Sequence, residues 1–175
     1  MRKRLSVIVL VSLFAAAGIV PAGAGEVVSR ETIVESLWQP ISGGPAIDLA
    51  VEFRIGSAKL TKRARTQLDE LGHALSGGPL KGAEIGIYGH TDASGGARNN
   101  KRLSQKRAEA VRDYLVKSFS LDPALFDTFG YGEEQLKNTR RPNAAENRRV
   151  EIVNLSPPKA QDDGGADGGS EAITE

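Results

Sequence analysis

Cysteine is absent from all 175 residues. That excludes disulfide staples, cysteine-ligated zinc, and the lipid-modified cysteine of a lipoprotein signal. Histidine occurs only at positions 73 and 90, too few for a metal centre built on imidazole. Net charge is small, at +1, and gives no basic stripe of the kind nucleic acid requires. Without Arg2, Lys3 and Arg4, 20 basic side chains face 22 acidic ones. Five of those acids and one base, Lys159, lie in the tail from Ser156, so residues 25–155 stand at +2. Long apolar runs are scarce too: the one present is Leu5 to Val20, interrupted by Ser6, Ser12 and Gly18. It follows Met1-Arg2-Lys3-Arg4 and precedes Ala22-Gly23-Ala24, a small-x-small cleavage pattern. Residues 1–24 are therefore expected to be a secretory signal peptide, with the mature chain beginning near Gly25. A retained membrane anchor is the alternative, disfavoured because a span needs about 20 apolar residues. No other segment is long or apolar enough to span.

What remains is enough for one ordinary domain held by its core alone. Residues 25–46 read as an N-terminal arm. Thr32 to Trp38 is expected to form one or two helical turns, with Trp38, the only tryptophan, packing the arm onto the domain. Residues 47–155 read as the domain. Alternation over Ile47–Phe53 predicts a half-buried strand. Thr61 is placed to cap a helix with Ala64, Leu68, Leu71 and Leu75 on one face, stopped by Gly77-Gly78-Pro79. Strands are expected at Glu84–Gly89, Leu125–Gly130 and Arg149–Leu155, with a long helix from Asn100 to Lys117 and one turn at Asn143–Glu146. The tail, 156–175, is Gly- and Asp-rich and is expected to be disordered. The order β-α-β-α-β-(α)-β predicts an α+β two-layer sandwich. Its four-stranded sheet is mixed, with helices on one face and the second and third strands parallel.

Chemistry concentrates where the second strand ends. Gly89-His90-Thr91-Asp92 is followed by a loop containing Gly95 and Gly96, then by the long helix. Ligands commonly sit at loops leaving the carboxyl ends of such strands. On that helix Arg107 falls on the stripe of Leu103, Val111 and Leu115, at the i, i+4 step from Leu103 and Val111. A guanidinium aimed at a core needs an anionic partner, and Asp92 is the candidate. Asp92 either caps the loop through its own backbone or faces a ligand; Arg107 is either a structural ion-pair partner or a ligand contact. Together they suit a ligand carrying both an ammonium and a carboxylate. His90-x-Asp92 lacks further ligands for a metal. No nucleophile–base pairing or G-x-S-x-G elbow is visible, so no catalytic residue and no cofactor is assigned. His90 reads as a packed residue at the strand end, Asn147 as a turn-former, and Arg148 and Arg149 as solvated charges.

These motifs resemble those of the outer-membrane protein A C-terminal domain family, which binds peptidoglycan. The resemblance rests on Phe53 with Ser57-Ala58-Lys59-Leu60, on Gly89-His90-Thr91-Asp92 with Gly95, and on Asn100 with Leu103-Ser104 and Arg107-Ala108. Gly130-Tyr131-Gly132-Glu133 and Asn147-Arg148-Arg149-Val150-Glu151 complete it, over residues 47–155. It departs at Phe53-Arg54-Ile55-Gly56, where many relatives carry Phe-x-Phe-Asp, and at Asn99, where Tyr is frequent. The resemblance implies non-covalent binding of the diaminopimelate of stem peptides, with Asp92 and Arg107 gripping it. Thr91, Asn100, Leu103 and Phe53 are implied as further contacts, and Gly89, Asn147 and Arg148 as structural motif positions. It also implies a stand-alone module, without β-barrel or lipid anchor, in the periplasm of a Gram-negative cell at the wall or outer membrane. An adaptor of the same fold that binds only a protein partner, through the arm or the tail, is the alternative.

Overall fold

The computed structural model describes residues 26–38 and 45–156. The expected signal peptide and most of the expected acidic tail lie outside the described residues. Helix α1 (Arg30–Trp38) is followed by strand β1 (Ala46–Leu49), helix α2 (Lys62–Ser76), strand β2 (Ile85–His90), helix α3 (Ala97–Phe119), strand β3 (Phe126–Gly132) and strand β4 (Val150–Asn154). The strands form one sheet in the order β1-β4-β2-β3. Strands β2 and β3 are parallel, joined through α3, while β4 runs antiparallel to both β1 and β2. This is the mixed α+β sheet the element order predicts.

Thr61 caps α2, accepting the backbone N–H of Ala64 at 3.1 Å. The apolar face of that helix, Ala64, Leu68, Leu71 and Leu75, is buried against Ile85 and Ile87 of β2, Val111 and Leu115 of α3, and Val150 and Ile152 of β4. Helix α1 belongs to the same core through Ile33 and Leu37, both 0% exposed. Burying two such side chains contributes about 3–6 kcal/mol. Trp38, expected to fasten this segment, is instead 40% exposed; the i, i+4 pair one position earlier carries the packing. Gln67 adds a polar clamp, accepting Val28 N–H at 2.7 Å and donating to Val28 C=O at 3.0 Å.

Two boundaries differ from expectation for physical reasons. Strand β1 stops at Leu49 because its partner β4 begins at Val150, directly opposite. The alternation through Val51 and Phe53 continues instead into a hairpin-like loop closed by the Phe53–Leu60 bridge, with Gly56 at φ +61. Helix α3 begins at Ala97, a turn before Asn100, directly after Gly96.

Helix α3 lies almost on the backbone of the sheet. A Cβ on Gly89 would come within 2.3 Å of the Ser104 carbonyl oxygen, and one on Gly130 within 2.2 Å of the Gln105 nitrogen. Glycine at these two positions is a condition of the close approach. The deepest face of α3 is therefore small and partly polar: Asn100, Ser104, Ala108, Val111 and Leu115.

Candidate binding site

The site lies at the end of the sheet where β2 and β3 finish and β4 begins. Backbone bonds stitch the chain there: Thr91 N–H donates to Gly132 C=O at 2.8 Å, His90 N–H to Arg149 C=O at 3.0 Å, and Ala93 N–H to Pro142 C=O at 3.0 Å. Asn100, 7% exposed, reaches across from α3 and donates to the carbonyls of Asp92 and Ser94 at 3.3 and 3.1 Å and to Glu133 Oε2 at 2.5 Å.

Asp92 is 7% exposed. Its Oδ1 accepts the Ser94 backbone N–H at 3.1 Å and the Ser94 hydroxyl; its Oδ2 accepts Arg148 Nη1 at 2.7 Å. Burial pushes the carboxyl up, but the hydrogen bonds from Ser94 and Arg148 outweigh it and hold the group below its ordinary value. Oδ1 thus fills the loop-capping role, while Oδ2 is held by Arg148.

Arg107 occupies the third turn of α3. Its Nε donates to Ser57 C=O at 3.1 Å, and its guanidinium lies 4.9 Å from the centre of the Phe53 ring. Burial, then the neighbouring Arg148 charge, pull its pKa down, with Asp92 acting in the opposite sense; the group remains charged, as guanidinium does. Among the described residues its Nη groups meet no acceptor, and nothing joins it directly to Asp92. The expected Asp92–Arg107 pair is therefore corrected. A carbonyl and an aromatic face support Arg107, and Arg148 holds Asp92.

Arg148 is likewise not the free solvated charge expected, although its side chain is 49% exposed. Arg149 also has a partner, Asp48, at 3.0 Å. A sequence signal for Arg148 exists in retrospect. Val150, Ile152 and Asn154 face inward on β4, and Arg148 shares their parity. Asn147 does fix the turn as expected. Fully buried, it donates to the carbonyls of Asn138, Arg141 and Pro142 at 3.3, 3.1 and 2.9 Å and accepts Asn138 N–H at 2.8 Å.

Thr91 is 4% exposed and its hydroxyl has no partner among the described residues. Leu103 is half-buried one turn before Arg107. His90 packs as expected, stacked 5.3 Å from Tyr131 with Nε2 3.1 Å from Glu151. A groove of about 670 Å³ lies elsewhere, between α3 and β3. It includes neither Asp92 nor Arg107, and its Lys101 is already paired with Glu134 at 2.6 Å.

The profile of the OmpA family matches residues 52–149. The chain belongs to the OmpA family. Outer membrane porin F of Pseudomonas aeruginosa is 31% identical over 107 residues, 60% of this chain and 30% of the porin. The peptidoglycan-associated lipoprotein of the same species is 34% identical over 102 residues, 57% of this chain and 58% of the lipoprotein. This OmpA-family chain therefore spans less than two thirds of these relatives' length. Among solved structures, the cell wall anchor of the Pseudomonas aeruginosa T6SS superimposes with a TM-score of 0.50 at 26% identity, covering 63% of this chain and 80% of that one. The OmpA-like domain of FopA1 from Francisella tularensis has a TM-score of 0.53 at 24% identity, covering 67% and 77%, and shows the shared fold.

Proposed function

We propose that residues 47–155 bind peptidoglycan without turnover, through the free amino-acid end of stem-peptide diaminopimelate. The observation that carries this reading is one nearly buried carboxylate, Asp92, and one half-buried guanidinium, Arg107, close enough for their charges to interact without being bonded to each other. A ligand ammonium suits Asp92 and a ligand carboxylate suits the unmatched Nη edge of Arg107, where bidentate geometry is available. The unpartnered Thr91 hydroxyl, Asn100, Leu103 and the Phe53 ring are the further contacts. Similarity to a peptidoglycan-associated lipoprotein and to a cell wall anchor supports the same reading. No helix among the described residues is long and apolar enough to cross a membrane. The proposed location is the periplasm, at the wall of a Gram-negative envelope.

Titrating a diaminopimelate-containing tripeptide into the purified protein by calorimetry tests the site. Asp92→Asn and Arg107→Gln are each expected to weaken binding by about 2–5 kcal/mol, because each leaves an opposite charge unpaired. Wild-type affinity in a folded Asp92→Asn protein overturns the site. Co-sedimentation with purified sacculi separates wall binding from an adaptor that binds only protein, which would not pellet. Release of soluble fragments would point to an enzyme.

A further inference from the structure

We propose that Arg148 is the specificity-determining residue of this site. It guards Asp92 against ligands that carry an ammonium alone and transfers to the ligand's carboxylate when one is present. The inference rests on the proposed function and adds a third charged partner to it.

Three observations lead there. Asp92 Oδ2, the oxygen a ligand ammonium would need, already accepts Arg148 Nη1 at 2.7 Å, so the free site is closed by an internal cation. The two arginines are held differently. Arg107 is fixed by the Ser57 carbonyl and the Phe53 ring. The Arg148 side chain makes no hydrogen bond besides that to Asp92 among the described residues, and is 49% exposed against 10% for Asp92. Arg148 can therefore swing without breaking packing, whereas Arg107 cannot. Finally, Arg107 lies near enough to both Arg148 and Asp92 for their charges to act on it, so the three charged groups neighbour one another.

The consequence is an exchange. An incoming ammonium must displace Arg148 from Asp92, and the displaced guanidinium then sits beside Arg107 with no counter-ion. A ligand ending in both ammonium and carboxylate supplies that counter-ion, gripped by two guanidiniums. A lysine side chain, with the ammonium and no carboxylate, displaces Arg148 and returns nothing. Discrimination arises because the wrong ligand leaves a charge unpaired, the stronger of the two ways to build selectivity.

The test is calorimetry of wild type, Arg148→Gln and Arg148→Lys with two tripeptides, identical except for diaminopimelate or lysine at the third position. Arg148→Gln is expected to lose about five- to tenfold for the diaminopimelate peptide and to gain about threefold or more for the lysine peptide. Their affinity ratio then falls at least tenfold. Arg148→Lys keeps a displaceable cation and should hold the ratio within about threefold of wild type. A merely structural role moves both affinities down together; that outcome, or no change in either, overturns the proposal. Wild-type protein that binds neither peptide overturns the proposed function itself, and this inference with it. If the wild type binds and Arg148→Gln leaves the ratio intact, only the role of Arg148 falls.

Discussion

Replacing Gly89 by alanine adds one methyl group where α3 lies against the backbone of the sheet. Its Cβ would sit 2.3 Å from the Ser104 carbonyl oxygen and 3.0 Å from the carbonyl carbon. An ordinary contact needs roughly 1 Å more, and the obstructing atoms are helix backbone, so no rotamer change relieves them. Gly89 is not in the left-handed region, which leaves sterics as the whole effect. Overpacking a tight core costs about 1–3 kcal/mol, and a rigid backbone neighbour places this case near 3. With a urea slope of about 2 kcal/mol/M for a domain this size, the unfolding midpoint should fall by about 1.5 M with unchanged slope. Relief of the clash pushes α3 away from the sheet and carries Arg107 with it, so affinity for the diaminopimelate tripeptide should fall under conditions where the variant is still folded. Gly86→Ala is the internal control. Its Cβ meets the outer end of the half-buried Tyr88 ring at 2.6 Å, a side chain that can turn aside, so the loss should stay below about 1 kcal/mol. A Gly89→Ala midpoint within about 0.3 M of wild type would refute the reasoning.

Asn147→Ala removes four buried hydrogen bonds from one side chain and should cost about 3 kcal/mol in denaturant unfolding; a loss under about 1 kcal/mol means the turn is held by something else. Ser120 ends α3 at φ +53, so Ser120→Gly should stabilise by about 0.5–1 kcal/mol and raise the thermal midpoint by about 3 °C, an increase that scanning calorimetry would detect. Asp92 has its carboxyl depressed in the folded state. Its ionised form thus contributes stability that is full above the unfolded value of about 3.9 and is lost as pH falls through the lower folded value. Urea midpoints from pH 6 to 2 should show a shallower acid decline in Asp92→Asn than in wild type, and an identical decline contradicts the ion pair with Arg148.

Most of the scaffold was legible because periodicity records burial. The Leu68–Leu75 face of α2 and the Val150–Ile152 alternation of β4 announce their buried sides directly. Boundaries were less legible where a neighbour decides them, as at Leu49, whose strand ends when the partner does. Arg107 was found because a cation on an apolar stripe is conspicuous. Its support was not foreseen, since a carbonyl from Ser57, 50 residues earlier, and a ring face carry no charge signature. The contact between Asp92 and Arg148 spans 56 positions, and its one local mark is parity with the inward-facing Val150 and Ile152 of β4, which by itself names no partner. Trp38 shows the converse error: size drew attention to it, while Ile33 and Leu37 hold the helix down.

The sheet order has a mechanical consequence. The strand entering the domain and the strand leaving it are neighbours, and Asn154 N–H bonds the Pro45 carbonyl at 2.9 Å. Ala46, Ile85 and Asn154 therefore mark one pole of the sheet, while Leu49, Gly89 and Val150 mark the other, from which Asp92 projects. Pro45 and Asn154, where the chain enters and leaves the sheet, lie together about 20 Å from the candidate site, the length of the six residues of β2. A load attached at that pole acts from the side of the sheet opposite Asp92. A pull between them runs lengthwise along paired strands, loading their hydrogen bonds together in shear instead of peeling them open one at a time.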